Sequence, residues 1–217
     1  EELADALKSW KVDAAWTKKA KELMTEWNTA LDGYQKPTNA PVPTYAQVVG
    51  VVNKKADARD YMLTAAGGLP GETMKNWRCK TTNSYDLEFG FSCMGYEIAG
   101  GWGAKMADPT RDVIVMVGDG SYLMMNSEIA TSVMMGIKLT IVVLDNRGYG
   151  CINRLQRAAG SESFNNLLRD SYHVTLPAID FAAHAASLGA HAVKAANINE
   201  LENALRAAKT HPATAVV

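Results

Sequence analysis

No stretch of about 20 uninterrupted apolar residues occurs in the sequence, which excludes a membrane-spanning helix, and its first residues are charged rather than signal-like. The cytoplasm is the expected compartment, with no membrane partner. An excess of one charge is also missing. The 22 Lys and Arg stand against 23 Asp and Glu, for a formal net charge of −1, so there is no basic field for nucleic acid or anionic lipid. Cysteine is scarce. Cys79, Cys93 and Cys151 form neither a CxxC pair nor an even framework, which argues against a disulfide scaffold or a cysteine-based metal site. There is no GxGxxG after the first expected strand, which weighs against a dinucleotide-binding module. Internal repeats and low-complexity segments are absent. What remains is a globular chain whose default partner is a small molecule.

With 47% hydrophobic residues over 217 positions, the chain can bury a sizeable core. From Glu1 to about Leu31, the residues Leu3, Leu7, Trp10, Ala14, Leu23, Trp27 and Leu31 recur at helical spacing among mixed charges. This reads as an amphipathic helical arm that packs on a neighbouring domain. Three of the seven prolines then fall between Gln35 and Pro43, where they cannot continue a helix. Residues 1–43 are therefore expected to be arm and linker, and 44–217 an α/β domain. Thr44 is placed to cap a helix through Val52. Tyr61 to Ala65 reads as a strand ending in a loop from Ala66 to Gly71. Helices are expected over Gly95 to Met106 and Ser127 to Met135. Val113 to Val117 and Leu139 to Leu144 are continuous apolar runs that suit the middle of a parallel sheet. Ile179 to Leu188, His191 to Ala195, Leu201 to Ala208 and Ala213 to Val217 continue the alternation. The fold class predicted is a doubly wound, mostly parallel sheet flanked by helices, with an N-terminal helical arm. The chain opens on Glu1 rather than Met and stops inside an expected strand, so it is expected to be part of a longer protein.

Two motifs end neighbouring apolar runs: Val117-Gly118-Asp119-Gly120-Ser121 and Leu144-Asp145-Asn146-Arg147-Gly148. Ligands of an open parallel sheet bind at the carboxyl ends of its strands, so Asp119 and Asn146 are expected side by side there. A helix starting after the first motif would point its free N–H groups at the same place. Asp and Asn are hard oxygen donors, and Mg²⁺ takes about six oxygens while keeping phosphate and water among them. Gly118 and Gly120 would let the backbone approach a phosphate, with positive φ if required. An ordinary strand-to-helix turn explains a lone GDG equally well.

The GDG followed about 25–30 residues later by an Asn-containing pair resembles the signature of thiamine-diphosphate (ThDP) enzymes. The match to the acetolactate synthase-like members runs from about Thr44 to Val217. It implies Asp119, Asn146 and the Gly148 carbonyl as Mg²⁺ ligands, with Asp145 standing where the first Asn is common. About 25 residues before Asp119, Gly90-Phe91-Ser92-Cys93-Met94-Gly95-Tyr96 resembles the family's segment beneath the cofactor. The resemblance implies that Met94 wedges ThDP into its bent form, and that the Ser92 carbonyl and Met94 N–H meet the aminopyrimidine edge. Gly68 and Leu69 fall in the loop over the diphosphate, and Ser121 completes the implied cofactor-binding set with Gly118 and Gly120.

Within the family, the strings 65–71, 88–101 and 145–156 resemble the branch that hydrolyses a polyhydroxylated cyclic 1,2-diketone in inositol catabolism. Glu97 and Ala99 replace the Gly and Pro usual in acetolactate synthases. The resemblance implies cleavage of a ring C–C bond to give 5-deoxy-glucuronate. It also implies that the activating glutamate lies on a pyrimidine-binding domain outside these residues, that a second subunit completes a homo-oligomer, and that these residues alone are inactive. Glu88 and Glu97 are open to either substrate contact or a structural role, and the catalytic proton donors stay unassigned. An acetolactate synthase-like carboligase or decarboxylase domain and a non-catalytic nucleotide-binding module are the alternatives.

Overall fold

The computed structural model describes every residue except Asn39. That residue of the expected linker therefore lies outside the described residues. The arm is two helices rather than one, α1 (Glu2–Ala6) and α2 (Ala14–Tyr34). The break falls where Asp13 caps α2, its carboxylate accepting the N–H of Ala15 at 2.6 Å. The far half of α2 docks on the domain: Leu31 is buried, and the Trp27 indole N–H donates to the Lys75 carbonyl at 3.1 Å. Arg78 bonds Asn28 and pairs with Asp32 at 2.8 Å. Burying Leu31 is worth about 2 kcal/mol, while the half-exposed ion pair adds about 0–1, so the apolar contact dominates. The near half stays open to solvent, with Trp16 69% exposed, as is Trp10 before it at 66%.

Beyond the linker the chain alternates strands and helices. Thr44 caps α3 (Tyr45–Lys55) in a reciprocal capping box. The Gln47 N–H donates to its hydroxyl at 3.2 Å, and the Gln47 side chain accepts the Thr44 N–H at 2.9 Å. There follow β1 (Tyr61–Thr64), α4 (Gly68–Asn76), β2 (Tyr85–Leu87), α5 (Tyr96–Ala107), β3 (Val113–Gly118), α6 (Asp119–Met124), α7 (Glu128–Met134) and β4 (Thr140–Leu144). The chain ends with α8 (Gly150–Ala158), α9 (Phe181–Ser187), β5 (His191–Ala192), α10 (Ile198–Thr210) and β6 (Ala215–Val216).

One expectation needs correction. The loop expected over Ala66 to Gly71 becomes the first turn of α4 from Gly68 onward, because Gly67 at φ +86° turns the chain directly into the helix. The helix expected over Ser127 to Met135 is α7, and the helix that starts just after the GDG motif is the short α6, with Met125 between them in a non-helical conformation. The strand β2 and the helix α8 were not anticipated.

All six strands are parallel, in the order β2-β1-β3-β4-β6-β5. Strand β3 explains why both faces need helices. Val113, Val115 and Val117 lie in one core with Ile98, Tyr122 and Ile129, whereas Ile114 and Met116 lie in the other with Val49, Val52 and Leu205. From β1 the chain moves outward to β2 and then returns to place β3 on the other side of β1. The winding reverses at the β1/β3 boundary, which is where open α/β sheets form their ligand crevice. The four segments that leave the carboxyl ends of β1, β2, β3 and β4 therefore crowd one end of the sheet.

Candidate cofactor site

Strands β3 and β4 pair with Gly118 opposite Leu144, so Asp119 and the Asp145-Asn146 pair emerge side by side. Asp119 is buried, and its Oδ2 accepts the Gly148 N–H at 2.9 Å. Its Oδ1 is also buried, yet it meets no hydrogen-bond donor. Burial pushes the Asp119 carboxyl up from its ordinary pKa; the Gly148 N–H works against this and the nearby Asp145 charge adds to it. A buried carboxylate oxygen without a partner is costly, and a cation is what would satisfy it.

The β4 loop is shaped to present its oxygens here. The Asp145 carboxylate accepts the Arg147 N–H at 3.0 Å, and Arg147 takes φ +61°. Gly148 follows at φ +139°, against the backbone of Asn166 and Leu167: a Cβ there would stand 2.6 Å from the Asn166 carbonyl oxygen. The Tyr149 N–H donates to that same carbonyl at 2.7 Å. Asn146 donates through Nδ2 to the Tyr45 hydroxyl at 2.8 Å, which fixes its amide with Oδ1 as the remaining acceptor.

Other site residues predicted from sequence converge on the same place. The Met94 methyl lies 3.3 Å, and the Tyr149 ring 2.8 Å, from where a Cβ on Gly120 would sit. Gly120 is thus required by close approach and not by its backbone angle, since neither it nor Gly118 has positive φ. Gly118 has open space around it, so nothing in the fold demands glycine there. Gly68 opens α4 with the Arg154 guanidinium against it, 2.1 Å from an added Cβ. The Leu69 side chain is in the core, which leaves only its backbone for a ligand. Ser121 is buried. Ser92 is held at φ +52°, in the turn before Met94. Among the described residues, the Ser92 carbonyl and the Met94 N–H enter no hydrogen bond, whereas the N–H groups of Phe91, Cys93 and Gly95 are all taken by carboxylates.

Sequence reading missed Tyr45, Tyr149 and Arg154. Tyr45 comes from α3, remote in sequence, so no local motif could have revealed it. Tyr149 and Arg154 sit inside the recognised 145–156 string but carry no signature of their own. Of the histidines, His184 serves structure, its Nδ1 lying 2.8 Å from the Tyr122 hydroxyl.

Among the described residues no group of three or more His, Cys, Asp or Glu could hold a metal ion. A cation at Asp119 would depend on amide, carbonyl, phosphate and water oxygens, which is the preference of Mg²⁺. The residues fit such an ion.

Residues 65–217 match the model of the thiamine pyrophosphate enzyme, C-terminal TPP binding domain. The chain belongs to this family. Thiamine pyrophosphate is another name for ThDP. A 3D-(3,5/4)-trihydroxycyclohexane-1,2-dione hydrolase of Geobacillus thermodenitrificans is 42% identical over 168 residues, covering 75% of this chain and 26% of the relative. One of Bacillus cereus (strain AH820) is 34% identical across 100% of this chain and 36% of its own length. The chain therefore spans about a third or less of the relatives it matches. Among solved structures, a Rhodococcus jostii RHA1 thiamine diphosphate-dependent 4-hydroxybenzoylformate decarboxylase superposes with a TM-score of 0.70, at 19% identity, over 82% of this chain and 32% of its own. That likeness establishes the parallel-sheet fold of a ThDP-binding domain. No helix among the described residues is long and apolar enough to cross a membrane.

Proposed function

We propose that this chain is the diphosphate-binding part of a ThDP- and Mg²⁺-dependent hydrolase that opens a polyhydroxylated cyclic 1,2-diketone. The observation that carries the metal assignment is the buried, unpartnered Asp119 Oδ1 beside the Asn146–Gly148 loop. The names of the relatives carry the substrate. Asp119, Asn146 and the Gly148 carbonyl would hold the ion, and the Ser92 carbonyl and Met94 N–H would take the aminopyrimidine edge. The Met94 side chain, packed on Gly120, would lie beneath the cofactor. When bound, ThDP supplies the nucleophilic carbon and the electron sink that a C–C cleavage requires. In the net reaction the bond between the two carbonyl carbons breaks. Water provides the oxygen of a new carboxylate, and the other carbonyl carbon gains a hydrogen and becomes an aldehyde, as in 5-deoxy-glucuronate.

The chain's own residues form one wall of this site. A pyrimidine-binding domain carrying the activating glutamate, and a second subunit of a cytoplasmic homo-oligomer, complete it in the proposed enzyme. Residues 1–217 alone are accordingly expected to leave the dione intact. The test supplies the complete enzyme with ThDP, Mg²⁺ and either trihydroxycyclohexane-1,2-dione or pyruvate. Ring opening with uptake of one water is expected. Acetolactate formation from pyruvate without dione cleavage would overturn the reading in favour of a carboligase, and tight NAD or ATP binding without ThDP binding would favour a nucleotide module.

A further inference from the structure

Glu97 is the second residue of α5 and is 0% exposed. A carboxylate so deeply buried would ordinarily be destabilising, yet each of its oxygens is engaged. Oε1 accepts the Ala66 N–H at 3.1 Å, and Oε2 accepts the Gly95 N–H at 2.9 Å. These contacts come from two separate segments: the turn after β1 that leads into Gly68 and the turn that bears Met94. Substrate cannot reach Glu97, so the open question of its role resolves against direct contact.

We propose that Glu97 is a positioning residue that sets the spacing between the two ends of the cofactor site. On one side it fixes Ala66, in the turn that leads into Gly68, which is assigned to the diphosphate. On the other it fixes Gly95, next to the Met94 turn assigned to the pyrimidine ring. Chemistry explains why a carboxylate is needed. Both bonding partners on the backbone are N–H donors, and only an ionised carboxylate offers an acceptor to each. An amide of the same size can satisfy one donor while its own NH₂ faces the other, so the two segments are no longer held together. A ligand that contacts only one segment would not sense the change. ThDP, which spans both, would, because small displacements of a bound group are felt strongly.

This inference rests on the ThDP reading above, and the experiment separates the two. In the complete enzyme, ThDP and Mg²⁺-diphosphate are titrated separately into wild type and Glu97→Gln. The expected result is a loss of ThDP affinity of roughly ten-fold or more, with diphosphate affinity changed less than about two-fold. Equal losses for both ligands would overturn the proposal, because general destabilisation moves both together; unchanged ThDP affinity would overturn it as well. A wild-type enzyme that binds neither ligand defeats the functional reading instead. Amide hydrogen exchange at Ala66 and Gly95 in the unmodified enzyme gives a test that needs no variant. Both amides are expected to be protected, and fast exchange at either one would overturn the link whether or not Glu97→Gln folds.

Discussion

The two ends of the site hold buried carboxylates in opposite situations. At the proposed metal end, Asp119 receives one backbone N–H on Oδ2 and keeps Oδ1 buried without a partner. At the ring end, Glu97 is buried more completely and yet has both oxygens bonded. Burial alone therefore does not separate the two acids; the filling of their acceptors does. An acid with all its acceptors filled by its own fold has nothing left to offer a ligand, whereas an acid with one oxygen unfilled keeps an acceptor for a proton, a donor or a cation.

The largest effect that would break this contrast is expected at Asp119. Asp119→Ala removes both a charge and an oxygen ligand, so ThDP affinity at limiting Mg²⁺ should fall by at least about 100-fold. Isothermal titration of the complete enzyme measures it, and an unchanged affinity would leave the metal end without its defining residue. Gly148→Ala comes next. Its Cβ would meet the Asn166 carbonyl oxygen at 2.6 Å and would sit at φ +139°, so denaturant unfolding should show a loss of about 1–3 kcal/mol. Full tolerance would show that the β4 loop yields freely and does not aim its oxygens.

At the ring end, Met94→Ala leaves the metal end untouched. It should lower kcat several-fold more than it lowers cofactor affinity, since the side chain shapes the bound conformer rather than anchoring it. Proportionate loss of both would mean that Met94 is ordinary packing.

The smallest effect is in pH dependence. Burial raises the carboxyl pKa of Asp119 and of Glu97 in the folded protein. For each, the unfolded chain releases its proton first as pH rises, so the folded state then binds more protons and loses stability. The contribution of these two groups to the stability of the metal-free protein should therefore be greatest below the ordinary carboxylate pKa and fall as pH rises through the raised values. Asp119→Asn and Glu97→Gln should each flatten part of that fall in thermal melts. If the Asp119 variant alone flattens it, the well-bonded Glu97 costs the fold little, which would sharpen the contrast.

Much of this was legible in the sequence, because some signals are local. Continuous apolar runs gave β3 and β4 their places in a two-faced sheet, and the Thr44-to-Gln47 spacing gave α3 its start. The GDG and Asp145-Asn146 motifs end adjacent strands, so their proximity follows from parallel pairing alone. The short edge strand β2 carries no apolar run. Between α6 and α7, Met125 leaves the helical conformation and packs against Gly95, a contact between segments remote in sequence.

The sequence by itself determined the alternation of the chain, the strand ends where the chemistry gathers and the residue types able to hold a hard cation, because each depends on neighbours within a few positions. Only the tertiary structure decided which carboxylate is left with an unfilled oxygen. Glu97 meets Ala66, Asn146 meets Tyr45, and Arg154 covers Gly68. Those partners arrive from other strands and helices, and hydrogen bonding depends on distances of a few ångströms that exist only once the sheet has brought its carboxyl ends together.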